Sequence, residues 1–535
     1  MFNTALSLTD RARVEAYLAA KWGISGVHAP ATATNDPVGA WLDKSGNGRH
    51  ATQGTAGSRP TISATAANGR RALAFSASDR RITSPVTVAQ LAANATTSPQ
   101  MFFAWAARPE GGIPSIVWGT HPTNSSAASR LFYSSDFGGA GNHIVDFGSI
   151  SGAATGRLTN ANSVLGYAVG SELDSVPHVY SAYRDGTVMS VRRDGVEILR
   201  RTGVTVAYTD TTGTLTINNA EATTSNTASW LEFLAVAGAP PAASIARIER
   251  YLASKWGVTL APQVSNADAQ DWINRVYANG GTVSAATATA VNTFCNDIEN
   301  AGIRDRFYRV NLFCGNSDAS LAAVRTPLFR GPSLTGTQYG NTIDTNAGNL
   351  FVANDYAETG ASGGLQGSTG GTARYLNTGL APSVLPSVAT GHLSIWRAAG
   401  TESGSFTRIA IGTRGAVAYE IQERSSGQFG FWGSYTGASN AVTNAAGHRL
   451  VSRTGATALT LYSNGSAVGT ESTSTTPASL TTPWWVFESN SNGSGTGSFF
   501  NGILRAYSIG ESMTAGQAAS FYAALNTFMA GLSRA

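Results

Sequence analysis

Charge is scarce in this sequence: Asp, Glu, Lys and Arg make up 13% of 535 residues, about half the roughly 25% of an ordinary globular chain. The 36 basic residues nearly balance the 32 acidic ones. No basic stripe stands out, which excludes nucleic acid as an expected partner. Cysteine is scarcer still, with Cys295 and Cys314 alone; the two could pair, but they read more simply as buried free thiols, and no disulfide framework is possible. No apolar run approaches the roughly 18 residues of a membrane-spanning helix, so membrane insertion is not expected. Residues 1–11 also lack the basic region and apolar core of a signal peptide, and the expectation is a chain not addressed to secretion. The seven histidines show no His-x-x-x-His spacing, which argues against zinc. Neither a phosphate-binding glycine loop nor a nucleophile elbow with partners occurs.

What is abundant is glycine, with 60 residues, together with Ser, Thr, Ala and Asn. That mixture suits all-β modules whose outer strand faces carry hydroxyls and amides in place of ion pairs. The 42% hydrophobic content is ample for packed cores, and the length calls for two or three domains. Short β runs bounded by Gly, Asp, Asn and Pro are predicted at 101–105, 115–118, 143–147, 179–183, 188–192, 196–200, 214–217 and 230–236. Asp185-Gly186 and Asp194-Gly195 are hairpin signals that make 178–200 a three-stranded meander.

One helical stretch is written twice. Residues 13–24 read Arg-Val-Glu-Ala-Tyr-Leu-Ala-Ala-Lys-Trp-Gly-Ile, and 247–258 read Arg-Ile-Glu-Arg-Tyr-Leu-Ala-Ser-Lys-Trp-Gly-Val. Val14, Tyr17, Leu18 and Trp22, like Ile248, Tyr251, Leu252 and Trp256, fall at i, i+3, i+4 and i+8, one face of a helix. Lys21 and Lys255 suit the last turn, and Gly23 and Gly257 suit a left-handed cap. The first copy is an unpartnered helix, so Val14, Tyr17, Leu18 and Trp22 are candidate assembly contacts.

Two short helices around 268–277 and 284–298 read as a linker, after which β texture resumes. The segment 448–465 mirrors the meander, and 503–510 followed by a helix over 514–529 mirrors the last strand and helix of the first half. The expected organisation is an N-terminal helix and connector (1–36), a first sandwich closed by a helix (37–260), a helical linker (261–310) and a second sandwich closed by a C-terminal helix (311–535).

The stretch Trp41-Leu42-Asp43-Lys44-Ser45-Gly46-Asn47-Gly48-Arg49-His50-Ala51-Thr52, then Arg59-Pro60, Ala72-Leu73-Ala74-Phe75, the Asp-Gly meander and Tyr-Leu-Ala-x-Lys-Trp-Gly, resembles concanavalin A-like, laminin G-like jelly-roll modules of bacteriophage virions and bacterial surface proteins. Asp268-Ala269, Val291-Asn292-Thr293-Phe294 and 503–510 are similar to segments of phage particle proteins. The resemblance implies a mainly β chain of two antiparallel sandwiches with short capping and linking helices, and rim or face loops open to a glycan or protein partner.

Catalysis on such a sandwich needs paired carboxylates. Glu172-Leu173-Asp174-Ser175-Val176-Pro177 approaches the Glu-x-Asp-x-x-Glu pattern but ends in proline, and reads as a polar loop. Laminin G-like folds often carry calcium at the rim; Asp43, Asn47, Asp79, Asp185 and Asp194 lie in turns, where such residues more often bond their own backbone. No other cofactor is implied. Trp118, Tyr133, Trp432, Tyr435, Trp484 and Trp485 are candidate glycan-stacking platforms, and of the adjacent pair Trp484-Trp485 one ring should face the core. The leading expectation is a non-enzymatic structural protein of a phage virion (decoration, collar or tail fibre), surface-displayed, homo-oligomeric, in contact with other virion proteins and host glycans. The alternative is a bacterial cell-surface glycan-binding adhesin, and a polysaccharide hydrolase comes third.

Overall fold

The computed structural model describes Val14, Lys21 and residues 33–64, 67–75, 80–92, 100–109, 117–120, 130–134, 144–148, 157–159, 161, 163–165, 174–205, 213–218, 228–316, 321–347, 350–367, 373–398, 407–440, 446–472 and 476–534. It falls into two compact units, 1–260 and 261–535. The fold is mainly β, with two sheets in each unit, antiparallel except where Thr407–Arg414 meets Ser489–Ser491.

In the first unit a seven-stranded sheet runs in the order Val196–Arg201, Val188–Arg193, His178–Asp185, Gln100–Pro109, Ala228–Ala237, Leu73–Phe75, Thr61–Ile62. Its first three strands are the predicted meander, and Asp194 and Gly195 both take positive φ in the two-residue turn between Arg193 and Val196. An eight-stranded sheet stacks on it: Ala40–Trp41, Ala51–Thr52, Ile82–Thr87, Thr214–Ile217, Val117–Thr120, Arg130–Ser134, Ile144–Gly148, Arg157–Thr159. Aromatic rings fill the space between, with Trp105 against Tyr180 at 5.3 Å, Tyr133 at 4.6 Å and Trp118 at 5.4 Å.

The strand Gln100–Pro109 is buried along almost its whole length, because its second face is covered too. Phe102, Ala104 and Ala106 pack under helix α1, Ala242–Trp256, with Ile245, Leu252, Ala253 and Trp256. Here the periodicity misplaces the buried face. Tyr251 is 48% exposed and Ile248 only partly covered, whereas Glu249 is buried. The reason is electrostatic: the sheet presents Ser181 and Arg192 beneath the helix, and Glu249 turns inward to accept from both, at 2.7 and 2.9 Å. The C-terminus is as predicted, with Gly257 at φ 73° and the last carbonyls taken by Asn68 and Arg70. Val14 lies in helix, but Tyr17, Leu18 and Trp22 fall outside the described residues.

The second unit corrects the expected linker. Helices α2, Ala267–Ala278, and α3, Ala285–Asn300, belong to the body of this unit. Trp272 donates to the Thr326 carbonyl, Arg275 to those of Pro327 and Leu328. Phe294 meets Phe521 and Phe528 of helix α4, Ala515–Gly531. A helix with Val291, Phe294, Cys295 and Ile298 on one face loses too much by leaving that face in water to serve as a spacer. One sheet of this unit centres on Ile503–Gly510, Gly391–Arg397 and Gly447–Gly455, with Phe307–Asn311 joining Ile503–Gly510; the other centres on Thr407–Arg414, Ala418–Arg424 and Gly427–Trp432. Their facing sides form one core that includes Leu393, Ile395, Tyr419, Ile421, Trp432, Val451, Leu461 and Trp484. Cys295 and Cys314 are both buried and free.

Candidate functional site

The motif at 41–52 builds a loop with a defined interior. Asp43 Oδ1 accepts the backbone N–H of Ser45 at 2.8 Å, and Oδ2 accepts that of Arg49 at 2.9 Å. Hydrogen bonds from Ser45, then Arg49, hold the Asp43 carboxyl below its usual range. Gly46 and Gly48 take φ 88° and 66°, which closes the turn at little steric cost. The Asp43 N–H in turn donates to His50 Nδ1 at 3.1 Å. A nitrogen that accepts cannot carry the proton, so the neutral ring holds its hydrogen on Nε2.

Beside this loop an open groove of about 480 Å³ is lined by Gly48, His50, Thr52, Thr83, Ser84, Pro85 and Thr214. Pro85 sits inside the strand Ile82–Thr87, and the ladder to Thr214–Ile217 slips in register beside it. Proline has no N–H to give that ladder. Thr83 Oγ1 lies 3.2 Å from Thr216 Oγ1, and Ser84 Oγ donates to the Arg49 carbonyl at 3.4 Å. The groove is thus lined by hydroxyl residues, of which Ser84 is held by the Arg49 carbonyl and the Val86 N–H and Thr83 by Thr216, and by one imidazole whose Nε2 carries the hydrogen. Among the described residues its lining contains no carboxylate. Groups of this kind can recognise a polyhydroxylated ligand, and the paired carboxylates of glycoside cleavage are not among the described lining residues.

The aromatic candidates are placed elsewhere. Trp118, Tyr133, Trp432 and Trp484 have no exposed surface, and Trp485 is buried under Tyr375, which stacks on it at 3.8 Å. None of these five is an open platform. The rings are large enough that core packing claims them first, Trp118 and Tyr133 between the sheets of unit one, Trp432 and Trp484 around Tyr419 in unit two. The alternation expected at Trp484-Trp485 is real, but the outward ring is covered. Tyr435 alone is open, 56% exposed, with its hydroxyl donating to the Gly415 carbonyl at 2.6 Å.

The turn carboxylates are occupied by protein donors. Besides Asp43, Asp194 accepts the Val179 N–H at 2.8 Å and meets His178 Nδ1 at 2.6 Å, while Asp185 accepts from Gln100. Asn47 donates to Ser45 Oγ. Asp79 lies outside the described residues. Among the described residues no group of three His, Cys, Asp or Glu is placed to hold a metal. Asp174 of the polar loop before the His178 strand reaches His178 Nε2 at 2.8 Å, so the ring is bracketed by two carboxylates; Glu172 and Leu173 lie outside the described residues. Thr52, Thr83, Ser84 and Thr214 were not legible as site residues. Their signal was slight, threonines at alternate positions of short strands, Thr83 in Ile-Thr-Ser-Pro-Val-Thr and Thr214 in Thr-Leu-Thr-Ile.

No protein-family model matches the sequence, and no curated protein does. Among solved structures the chain is similar to domains LG4-5 of the mouse laminin alpha1 chain, at 10% identity over 78% of this chain and 84% of that one, with a TM-score of 0.22. It is similar to the binding domain of Paraclostridial Mosquitocidal Protein 1, at 9% identity over 86% and 98%, with a TM-score of 0.30. A third is domain 4 of an extracellular arabinanase from Geobacillus stearothermophilus, solved with arabinotriose, at 14% identity over 42% and 91%, with a TM-score of 0.25. Overlaps this loose carry nothing about what the chain binds.

Proposed function

We propose that this chain is a non-enzymatic, lectin-like protein that holds a saccharide in the groove beside the 43–50 loop. The observation that carries the reading is the lining: hydroxyl residues Thr52, Thr83, Ser84 and Thr214 with the His50 imidazole, whose donor nitrogen is set by the Asp43 N–H, and among the described residues no carboxylate. A volume of about 480 Å³ lies in the usual range for small-ligand sites. Calorimetric titration against a panel of neutral mono- and disaccharides tests it. The expected result is binding by the full chain that His50→Ala and Thr83→Ala weaken at least tenfold while the melting temperature holds. Binding by none of the panel at millimolar concentration, or equal binding by the variants, overturns it.

With this goes the placement that the sequence resemblance implies, on the surface of a phage particle beside other virion proteins and facing host glycans. A bacterial surface adhesin would use the same groove. Antibody labelling of purified particles against labelling of intact cells separates the two.

A further inference from the structure

On the side of its sheet away from the core, the strand Ala418–Arg424 of the second unit carries a hydrogen-bonded row of side chains, of which Glu420 and Gln422 are buried and Arg424 is half-buried. On the strand Ala418–Arg424, Tyr419 and Ile421 point into the core, and the alternate residues Glu420, Gln422 and Arg424 line the other face. Arg414, on the neighbouring strand, clamps the Glu420 carboxylate with Nε to Oε1 at 2.7 Å and Nη2 to Oε2 at 2.5 Å. The Ser489 hydroxyl donates to Oε1 as well. Gln422 Nε2 donates to Oε2 at 2.5 Å, which orients the amide so that its oxygen accepts from Arg424 Nε at 2.8 Å. Donation thus converges on Glu420, from Arg414 and Ser489 on one side and from Arg424 through Gln422 on the other.

The row ends on an arginine that is held but not neutralised. Arg414 and Glu420 cancel, which leaves the Arg424 charge over. Its guanidinium lies 4.4 Å from the centre of the Phe429 ring and 5.8 Å from that of Phe431. Nε is used, while Nη1 and Nη2 meet no acceptor among the described residues. Burial, the largest influence on this group, disfavours its charged form, with Glu420 opposing that and Arg414 adding to it. An arginine held over a ring, pinned at Nε and open at both Nη atoms has already given up part of the rotamer freedom that ion pairing usually costs. Its remaining edge matches the two oxygens of a planar carboxylate.

We infer that Arg424, positioned by Gln422 and Glu420 on the Phe429 ring, is the anchor of a second binding site in unit two, for the carboxylate of an acidic saccharide. The sugar ring would extend along the strand face over Phe429, which is partly exposed. This site is independent of the groove in unit one. Gln422 is a positioning residue, and Arg424 is the group that touches ligand.

The test is calorimetric or NMR titration of the full chain with oligogalacturonate, with a neutral oligosaccharide and a sulfated neutral oligosaccharide of equal length as controls. Oligogalacturonate should bind, more weakly as salt rises. Arg424→Lys, which keeps the charge and loses the fork, should cost at least tenfold, and Gln422→Ala several-fold, with the melting temperature checked for each. The loss on Arg424→Lys should be as large in a chain that already carries His50→Ala, so failure of the groove and failure of this site are distinguishable. Equal affinity of wild type and Arg424→Lys for oligogalacturonate, binding of the neutral oligosaccharide that Arg424→Lys weakens as much, tighter Arg424-dependent binding of the sulfated one, or no binding of oligogalacturonate overturns the assignment.

Discussion

Helix α1 closes the first unit and α4 the second, and the two are held by different chemistry. Under α1 the apolar contact with Phe102, Ala104 and Ala106 is joined by ion pairs. Glu249 reaches Ser181 and Arg192, and Glu232 takes Lys255 Nζ at 2.8 Å, Trp256 Nε1 at 3.0 Å and the Tyr251 hydroxyl at 2.9 Å. Under α4 the contact is aromatic. Phe521 packs on Phe307 at 4.7 Å and on the edge of His448 at 5.1 Å, and Tyr522 stacks on Trp396 at 5.8 Å. Two imidazoles are sealed in this second seat. His392 keeps partners in the Glu511 carbonyl and Ser508, whereas neither nitrogen of His448 has one among the described residues. A polar seat selects one helix by pairing its charges, and an aromatic seat stabilises whatever fits its shape. The selective seat is the one whose helix sequence occurs twice in the chain.

Acid should separate the two seats most. Burial pushes His392 down to about 4 and His448 down to about 3. Both are neutral when folded, while the unfolded chain takes up protons below about 6.5. Stability is therefore full above pH 6.5 and is lost as pH falls toward 4, by several kcal/mol in the second unit. Urea unfolding at pH 7 and pH 4.5 should show this loss, reduced in His448→Phe; an equal loss in the variant would show that the buried imidazole is not its source.

Next in size is Phe521→Ala, which empties the centre of the aromatic seat at a cost of roughly 3–5 kcal/mol. Hydrogen exchange should report the loss at α3 and α4 and leave α1 protected. Glu249→Ala takes the carboxylate away from Arg192, which keeps the Gly195 carbonyl, and should cost roughly 3 kcal/mol, whereas Glu249→Leu with Arg192→Met should recover most of it. If the double variant is as unstable as the single, the seat is held by something other than this pair. The smallest expected effect is Gly257→Ala, about 1 kcal/mol, since alanine at φ 73° is strained and its Cβ would stand 3.2 Å from Asn68 Cβ. A melting temperature unchanged by that substitution would remove the cap from the list of what holds α1.

Local signals were sufficient for much of this. Asp194-Gly195 and Asn464-Gly465 demanded tight turns and occur in them with positive φ, because such turns are closed by the backbone freedom of the residues within them. Scarce charge and abundant hydroxyls implied sandwiches, and Asp43, Ser45, Gly46 and Gly48 implied their own loop, since its hydrogen bonds join residues a few positions apart. The faces that bury were not decided locally. Glu249 turned inward because of Ser181 and Arg192, 68 and 57 residues away. The helices after 261 became part of a core because Phe521 and Phe528 return to meet Phe294. The tryptophans that looked like platforms were taken by cores assembled from distant strands, and the groove exists only where Thr214 comes to lie beside Thr83 and His50. Composition and turn chemistry act over a few residues and are written in sequence; burial and charge pairing act through space, and only the assembled fold decides them.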